Sequence, residues 1–199
     1  MQNTQDPPEF EDGLQLSSRE LLNMSLASLV FYLFIATILF YFFHEGGLIE
    51  SFDSGFTVWS ELLIGAGAGI GSAGIVVLLA SNPPIKSALD DFAIFRIISK
   101  TDFSWRDRIQ ISFFAGVGEE LLFRGAIQPL IGIWLTSVIF IAIHGYISFK
   151  SAGHILFTVL LFGLSMMLGY LFMFVGLIAA MTAHAVYDLL MLWWVNFRD

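Results

Sequence analysis

Six ionisable side chains lie within otherwise apolar stretches in the second half of the sequence. They are Glu119, Glu120, Arg124, His144, His184 and Asp188. An ionisable group at membrane depth costs several kcal/mol unless it is paired or faces a wet cavity, so such groups usually mark a functional site. A desolvated carboxylate can take a proton from water, and histidines can relay protons or stabilise an oxyanion. These residue types therefore predict hydrolysis inside a membrane.

The two adjacent glutamates are expected to have different roles. Glu120 and Arg124 are four residues apart and share one face of a helix, whereas Glu119 is rotated by about 100° from Glu120. Glu120 and Arg124 are therefore predicted to form a buried ion pair, for which helix-to-helix registry is the simplest role. Glu119 has no partner on its own helix and is the candidate for activating water.

Three further residues are expected to converge on Glu119 from two other helices. His144 follows an apolar run, and His184 and Asp188 are four apart on one face of the last helix. His144 could also serve as a simple interhelical hydrogen bonder. A carboxylate beside a histidine can orient the ring or complete a metal shell. Together Glu119, His144, His184 and Asp188 would suffice for one divalent metal such as zinc, so metal dependence stays open.

Several other kinds of site are excluded. The chain has no cysteine, which removes thiol catalysis and Cys-ligated zinc. HExxH is absent, and no serine or threonine occupies a recognised nucleophile elbow. The net charge of -8 does not favour nucleic acid as a partner. His44 is predicted to lie in an exposed loop and His154 at the membrane interface, and neither is assigned a role.

Composition predicts an all-α fold, a polytopic membrane helix bundle. The chain is 57% hydrophobic and 13% charged, with a mean hydropathy of +0.79, which is too apolar for an ordinary soluble domain. About six transmembrane helices fit into its length. They are expected at about 21–43, 58–80, 109–128, 131–148, 154–174 and 177–195, with an interfacial amphipathic helix inside 85–108.

The domain organisation follows from the same pattern. Residues 1–19 are predicted to form a flexible acidic cytoplasmic tail, and 20–199 a membrane-embedded domain whose motifs fall within about 113–194. The glycines of 65–71 are predicted to allow close helix packing. In a six-span arrangement all basic residues except Arg124 fall on one side, which predicts that both termini are cytoplasmic. Those residues are Arg19, Lys86, Arg96, Lys100, Arg106, Arg108, Lys150 and Arg198.

Three motifs in order resemble those of the CPBP intramembrane proteases, also called the Abi family. EExxxR is formed by Glu119, Glu120 and Arg124, FxxxH by Phe140 and His144, and HxxxN/D by His184 and Asp188. The family includes type II CAAX prenyl endopeptidases and bacterial bacteriocin-processing or self-immunity proteins. Each motif alone is weak, but their order within apolar surroundings is specific.

The resemblance implies an all-helical membrane endopeptidase whose conical cavity opens toward the cytosol and the lipid. It implies that Glu119 activates water with help from His144, and that His184 with residue 188 supports the oxyanion or a metal. Glu120 counts with Glu119, His144, His184 and Asp188 among the candidate catalytic residues, and with Arg124 it would hold the architecture. The family is commonly labelled metalloprotease, and a metal-free glutamate mechanism competes with that label.

Position 188 bears on the chemistry because the family pattern admits Asn or Asp there. An amide can donate a hydrogen bond to an oxyanion, whereas an ionised carboxylate only accepts and would repel it. An ionised Asp188 would suit a metal or would orient a histidine. A protonated Asp188 could still donate.

The acidic tail and compact size favour a bacterial inner-membrane protein that acts on a peptide or a membrane-protein segment in the lipid bilayer. Two other hypotheses belong to different classes. One is a non-catalytic membrane adaptor or immunity-type protein that retains the polar cluster. The other is a small transporter, which should show inverted repeats that are not evident in the sequence.

Overall fold

The computed structural model describes residues 16–197, and this range is helical without any strand. A 3₁₀ helix, Leu48–Phe52, lies between α1 and α2, and a π-helical segment, Leu121–Ile127, joins α5 to α6. The predicted all-α fold class is therefore confirmed. The α-helices are α1 Ser18–Phe43, α2 Val58–Ala80, α3 Ile85–Leu89, α4 Ala93–Lys100, α5 Trp105–Glu120, α6 Gln128–Ile143, α7 Ala152–Phe174 and α8 Leu177–Phe197.

Five helical segments of the described residues are long and apolar enough to cross a membrane. The chain is a multi-pass membrane protein, as predicted. The number differs from the predicted six because two of the predicted spans, 109–128 and 131–148, are joined in one continuous helical segment. The five segments are Ser18–Phe43, Val58–Ala80, Trp105–Ile143, Ala152–Phe174 and Leu177–Phe197.

The segment Trp105–Ile143 folds back on itself at Gly132. This residue has φ 81° and ψ 165°, a backbone region that essentially only glycine adopts. The ring centroids of Phe123 and Phe140 are 5.1 Å apart, whereas a straight α-helix would separate these residues by about 25 Å. The segment therefore has two arms. The second arm extends for only about 16 Å, shorter than a hydrocarbon core of about 30 Å. The non-helical residues 144–151 complete the return, because His154 at the start of α7 lies 3.1 Å from Asp91, in the connection that precedes α5.

The second arm ends at Ile143, five residues before the predicted end at 148, because Gly145 stops the helix. Gly145 has φ 71°. Its N–H donates to Ala142 O at 3.0 Å, and the N–H of Tyr146 donates to Ile141 O at 3.0 Å. This is the Schellman arrangement of a helix C-terminus, in which glycine takes the left-handed position. His144 is thereby placed at the helix cap, between the short arm and a non-helical stretch.

Thr158 of α7 supports the non-helical backbone that follows. Its hydroxyl donates to Tyr146 O at 2.7 Å and accepts from Ser148 N at 3.2 Å. Irregular backbone inside a membrane protein is tolerated only where its polar groups find such partners or line a wet cavity. The conformation of residues 146–148 is therefore fixed by a neighbouring helix.

Two predicted boundaries near the aqueous side need correction. Residues 1–15 of the predicted tail 1–19 lie outside the described residues, but α1 already begins at Ser18. Ser17 and Glu20 form a capping box, in which Ser17 N donates to Glu20 Oε2 at 2.8 Å. The predicted amphipathic helix is split into α3 and α4, because the chain turns at Asp90 and Asp91.

A buried carboxylate fixes the start of α8, the helix that carries His184 and Asp188. Glu61 of α2 is 1% exposed. One of its oxygens accepts from Ala179 N at 3.2 Å and the other from Ser54 Oγ at 2.6 Å. A carboxylate at a helix N-terminus satisfies free N–H groups and interacts favourably with the helix dipole. Glu61 thus ties α2 to the first turn of α8.

Alternate glycines of α2 make the close contact with α8, which confirms the packing prediction for them. A Cβ added at Gly65 would collide with Ala179 O, and one added at Gly69 would lie 2.5 Å from Ala183 O. At Gly67 and Gly71 a Cβ would meet nothing within 4 Å. Only one face of the glycine-rich helix is therefore needed for helix packing.

Replacing Gly69 by alanine is expected to destabilise the bundle by about 1–3 kcal/mol, because the added methyl group overpacks the α2–α8 contact. Thermal unfolding in detergent measures the effect. The matched control is Gly71→Ala, which is expected to leave stability equal or slightly higher, since alanine is the better helix former. Equal melting temperatures for the two variants would contradict the packing role of Gly69.

Candidate active site

The structure brings Glu119, His144, His184 and Asp188 together from α5, α6 and α8. Glu119 Oε2 lies 3.3 Å from His144 Nε2 and 3.9 Å from His184 Nε2. His184 Nε2 also lies 3.5 Å from Asp188 Oδ2. The reversal at Gly132 makes this possible, because a straight helix would separate Glu119 from His144 by about 37 Å.

These four residues line a cavity of about 230 Å³. The side chain of Glu119 is 13% exposed and that of Asp188 is 28% exposed, so both carboxylates can meet a molecule that enters. Apolar side chains of α4, α7 and α8 form most of the remaining wall. The polar residues that line the cavity are Glu119, His144, Tyr146, Ser165, His184, Tyr187 and Asp188.

Glu120 is fully buried and does not line the cavity. Its Oε2 pairs with Arg124 Nε at 3.1 Å, so the predicted ion pair is present. Its Oε1 lies 2.8 Å from His184 Nδ1. When Nδ1 carries a proton and donates it to Glu120, the His184 ring is held with Nε2 toward Glu119 and Asp188. Glu120 therefore links the ion pair to the cavity histidine.

Arg124 is enclosed on all sides. Its side chain is 0% exposed, and its Nη2 donates to Ser165 Oγ at 3.1 Å and to Ser165 O at 3.3 Å. Its guanidinium lies 4.9 Å from the ring centre of Phe140, which is a cation–π contact. Ser165 was not singled out from the sequence. The sequence offers one indication that Ser165 matters, which is that a polar residue lies near the middle of an apolar span.

The helical segment that carries Arg124 is π-helical. The expected continuous α-helix at 109–128 changes at Leu121–Ile127 to this wider form. π-helical turns are rare and occur frequently at functional sites. All residues from 121 to 126 are buried, so this segment is surrounded by the bundle on every side.

Phe140 explains the spacing of the FxxxH motif. Its carbonyl oxygen lies 2.7 Å from His144 Nδ1, which leaves His144 Nε2 directed at Glu119. Its ring centre is 4.5 Å from the His144 ring and 6.0 Å from the His184 ring. Phe140 thus packs against both histidines as well as Arg124. Its carbonyl oxygen also fixes the ring of His144, four residues later in the chain.

Glu119, His144, His184 and Asp188 resemble a set of metal ligands in the orientation of the two histidines. Both histidines present Nε2 to Glu119 while Nδ1 is held by an oxygen, as in metal-binding histidines. Within residues 16–197, however, no group of three or more His, Asp or Glu side chains is arranged to hold a metal ion. The carboxylate oxygens of Glu119 and Asp188 approach the histidine Nε2 atoms directly, at 3.3 to 3.9 Å. Zinc binding by Glu119, His144, His184 and Asp188 stays a prediction, which a chelation experiment tests.

Tyr146 is a cavity residue that the sequence reasoning missed. Its ring is stacked on that of His144, with centroids 5.8 Å apart and an interplanar angle of 6°. The available signal was its position two residues after the histidine of FxxxH, beyond a glycine. Tyr187, which lies between His184 and Asp188 in the sequence, was missed as well.

The other two histidines lie away from the cavity. His44 was expected in an exposed loop, but it caps α1 and is half-buried, with Nε2 2.9 Å from Ala126 O. His154 stands near the start of α7, as expected, and is 4% exposed. Asp91 Oδ2 lies 3.1 Å from its Nε2, and the Ser151 hydroxyl lies 2.9 Å from its Nδ1. These contacts enclose the ring.

Comparison with known proteins identifies the part of the chain that carries the site. Residues 102–190 match the family model described as type II CAAX prenyl endopeptidase Rce1-like. The chain is also 32% identical over 121 residues to the uncharacterized protein YpbD of Bacillus subtilis (strain 168). That match covers 59% of this chain and 62% of YpbD. No solved structure matches.

The matched residues contain all three motifs, from Glu119 to Asp188. The resemblance that the motifs indicated is therefore confirmed. The membrane-embedded segment 102–190 is similar to the Rce1-like family of type II CAAX prenyl endopeptidases.

Proposed function

We propose that this protein is an intramembrane endopeptidase that hydrolyses peptide bonds with a water molecule activated by Glu119. The observation that carries the proposal is the position of Glu119. It is the carboxylate that lines the cavity and also faces Nε2 of both His144 and His184. The match of residues 102–190 to the Rce1-like family model of type II CAAX prenyl endopeptidases supports endopeptidase activity.

The reaction begins with water bound between Glu119 and the carbonyl carbon of the substrate. Glu119 takes a proton from the water, and the resulting hydroxide forms a bond to that carbon while the carbonyl electron pair moves to oxygen. His144, which contacts Glu119 at 3.3 Å, holds the carboxylate in place. When the intermediate collapses, the C–N bond breaks. The amine leaves with the proton that Glu119 had taken, and the second product is a carboxylic acid.

Glu120 acts in this proposal as a positioning residue. It lies outside the cavity and contacts His184 Nδ1 at 2.8 Å. A buried carboxylate at this place sets the tautomer and direction of the imidazole, as the aspartate does in a serine-protease triad. Arg124 holds Glu120 in place through the 3.1 Å ion pair. The ring of His184 then faces the reacting groups with Nε2.

We further propose that the substrate is a peptide or a membrane-protein segment. The protein itself lies in a bacterial inner (cytoplasmic) membrane, with both of its termini on the cytoplasmic side. The distribution of the basic residues supports this orientation. The wall of the cavity is largely apolar, with Phe95, Leu161 and Met191 among its residues, which suits an apolar substrate segment.

Cleavage of a fluorogenic peptide library by the purified, detergent-solubilised protein tests the proposal. Wild type is expected to release fluorescence, and a catalytically disabled preparation carrying Glu119→Gln is not. Equal release by both proteins would point to a contaminating protease. No release by wild type, in detergent or in liposomes, would favour the adaptor hypothesis.

Removal of metal ions is expected to leave cleavage intact. No group of three or more His, Asp or Glu side chains within residues 16–197 is arranged for a metal ion, and the proposed reaction takes its base from Glu119 and not from a metal-bound water. The measurement compares kcat before and after dialysis against a chelator such as EDTA or 1,10-phenanthroline. Loss of activity on chelation, restored by added zinc, would contradict the metal-free mechanism and would leave the endopeptidase proposal in place.

A further inference from the structure

The proposed reaction creates an oxyanion, and most polar groups of the cavity are unsuited to stabilise it. Asp188 Oδ2 contacts His184 Nε2 at 3.5 Å, and an ionised carboxylate in this position only accepts hydrogen bonds. The Nε2 atoms of His144 and His184 are both directed at Glu119. Ser165 is 1% exposed, and its hydroxyl oxygen lies against Arg124, from which it accepts at 3.1 Å, so burial keeps it from a bound substrate. A further donor is therefore required.

Two phenolic hydroxyl groups fulfil that requirement. Tyr146 and Tyr187 both line the cavity. Within residues 16–197, neither hydroxyl makes a hydrogen bond to another protein group. A tyrosine hydroxyl is a neutral donor, and an oxyanion accepts strongly from it.

Tyr146 is the better placed of the two. Its ring is parallel to that of His144, with centroids 5.8 Å apart, and His144 Nε2 lies 3.3 Å from Glu119 Oε2. Tyr187 lines the cavity but has no such stack on either cavity histidine within residues 16–197. Tyr146 is therefore the tyrosine that packs directly on the histidine in contact with Glu119.

The backbone that carries Tyr146 is also fixed. The left-handed turn at Gly145 and the bond from Tyr146 N to Ile141 O orient the residue at the end of α6. Thr158 holds its carbonyl oxygen at 2.7 Å. Donors that stabilise transition-state charge are effective when they are held in place before the reaction, because no reorganisation is then needed.

We propose that Tyr146 is a catalytic residue whose hydroxyl donates a hydrogen bond to the oxyanion of the tetrahedral intermediate. This inference rests on the proposed endopeptidase function. Tyr146 keeps its proton throughout. The bond from the hydroxide to the carbonyl carbon forms while the carbonyl electron pair moves to the oxygen that Tyr146 contacts, and that pair returns when the C–N bond breaks.

Peptide cleavage by Tyr146→Phe tests this role, because phenylalanine keeps the stack on His144 and removes only the hydroxyl. Its kcat is expected to fall by about 10²- to 10³-fold with little change in KM, the effect of removing one oxyanion donor. The matched control is Tyr170→Phe, whose ring stacks on Phe174 away from the cavity. That control is expected to keep the wild-type kcat.

Ring-fluorinated tyrosines at position 146 separate donation from packing. Fluorine makes the hydroxyl more acidic, so kcat is expected to change with the degree of fluorination and not with ring size. A wild-type kcat for Tyr146→Phe, or a large loss in Tyr187→Phe instead, would overturn the assignment. In both cases cleavage dependent on Glu119 would leave the endopeptidase proposal intact. Absence of any such cleavage in wild type would overturn both.

Discussion

The Glu119→Gln protein is expected to hydrolyse peptides about 10²- to 10⁴-fold more slowly than wild type and to unfold at the same temperature. An amide cannot take the proton from water. It preserves the shape of the side chain and can still hydrogen-bond to His144, which lies 3.3 Å from the carboxylate. His144 is partly exposed and His184 keeps Glu120 and Asp188 as partners, so the loss of the Glu119 charge leaves no buried partner uncompensated. The expected loss is therefore in kcat and not in stability.

Two other variants make this result specific. Glu45→Gln changes an exposed glutamate outside the cavity and is expected to retain full activity. Glu120→Gln changes a fully buried glutamate and is expected to lose both stability and activity, because Arg124 and His184 both depend on its charge. If Glu119→Gln also melted well below wild type, Glu119 would be a structural partner. If it kept its kcat, water activation by Glu119 would be wrong.

The separate roles of the adjacent glutamates could be predicted from the sequence. Four residues make about one helical turn, so Glu120 and Arg124 had to share a face, and the structure shows them paired at 3.1 Å. The π-helical segment between them does not disrupt this contact. The apolar surroundings also indicated that the histidine-bearing helices would face the same interior. Both inferences need only helical geometry and the cost of burying charge.

Other features depend on tertiary contacts that leave little trace in the sequence. The reversal at Gly132 looked like an ordinary connection at 128–131, and the early end of α6 depends on Gly145 and on the neighbouring Thr158. The contact of Glu120 with His184 joins residues that are far apart in the sequence. Spacing along a single helix cannot show such a contact.

The placement of aromatic residues was equally hard to predict. Phe140 was recognised only as part of a motif, whereas the structure shows its ring against Arg124 and both cavity histidines. With 21 phenylalanines in the chain, composition could not distinguish a ring that organises the site from one that faces lipid. Only the three-dimensional structure distinguishes the two kinds of phenylalanine.

Arg124→Ala is expected to lower the free energy of unfolding by about 3–5 kcal/mol, the cost of leaving a buried partner charge uncompensated. Glu120 is 0% exposed and would keep only His184 as a partner. Ser165 would also lose the donor that contacts both its hydroxyl and its carbonyl oxygen. Thermal or denaturant-induced unfolding in detergent measures the effect. Arg106→Ala, at an exposed arginine, is the matched control and is expected to differ little from wild type.

A double-mutant cycle shows whether the loss comes from charge or from packing. Arg124→Met fills much of the same space without charge, so by itself it should still leave Glu120 unpaired and destabilise the protein. In a Glu120→Gln background the same change is expected to cost much less, because replacing both members of a buried pair is often nearly neutral. An equal cost in both backgrounds would show that Arg124 stabilises the bundle through Phe140 and Ser165, independently of Glu120.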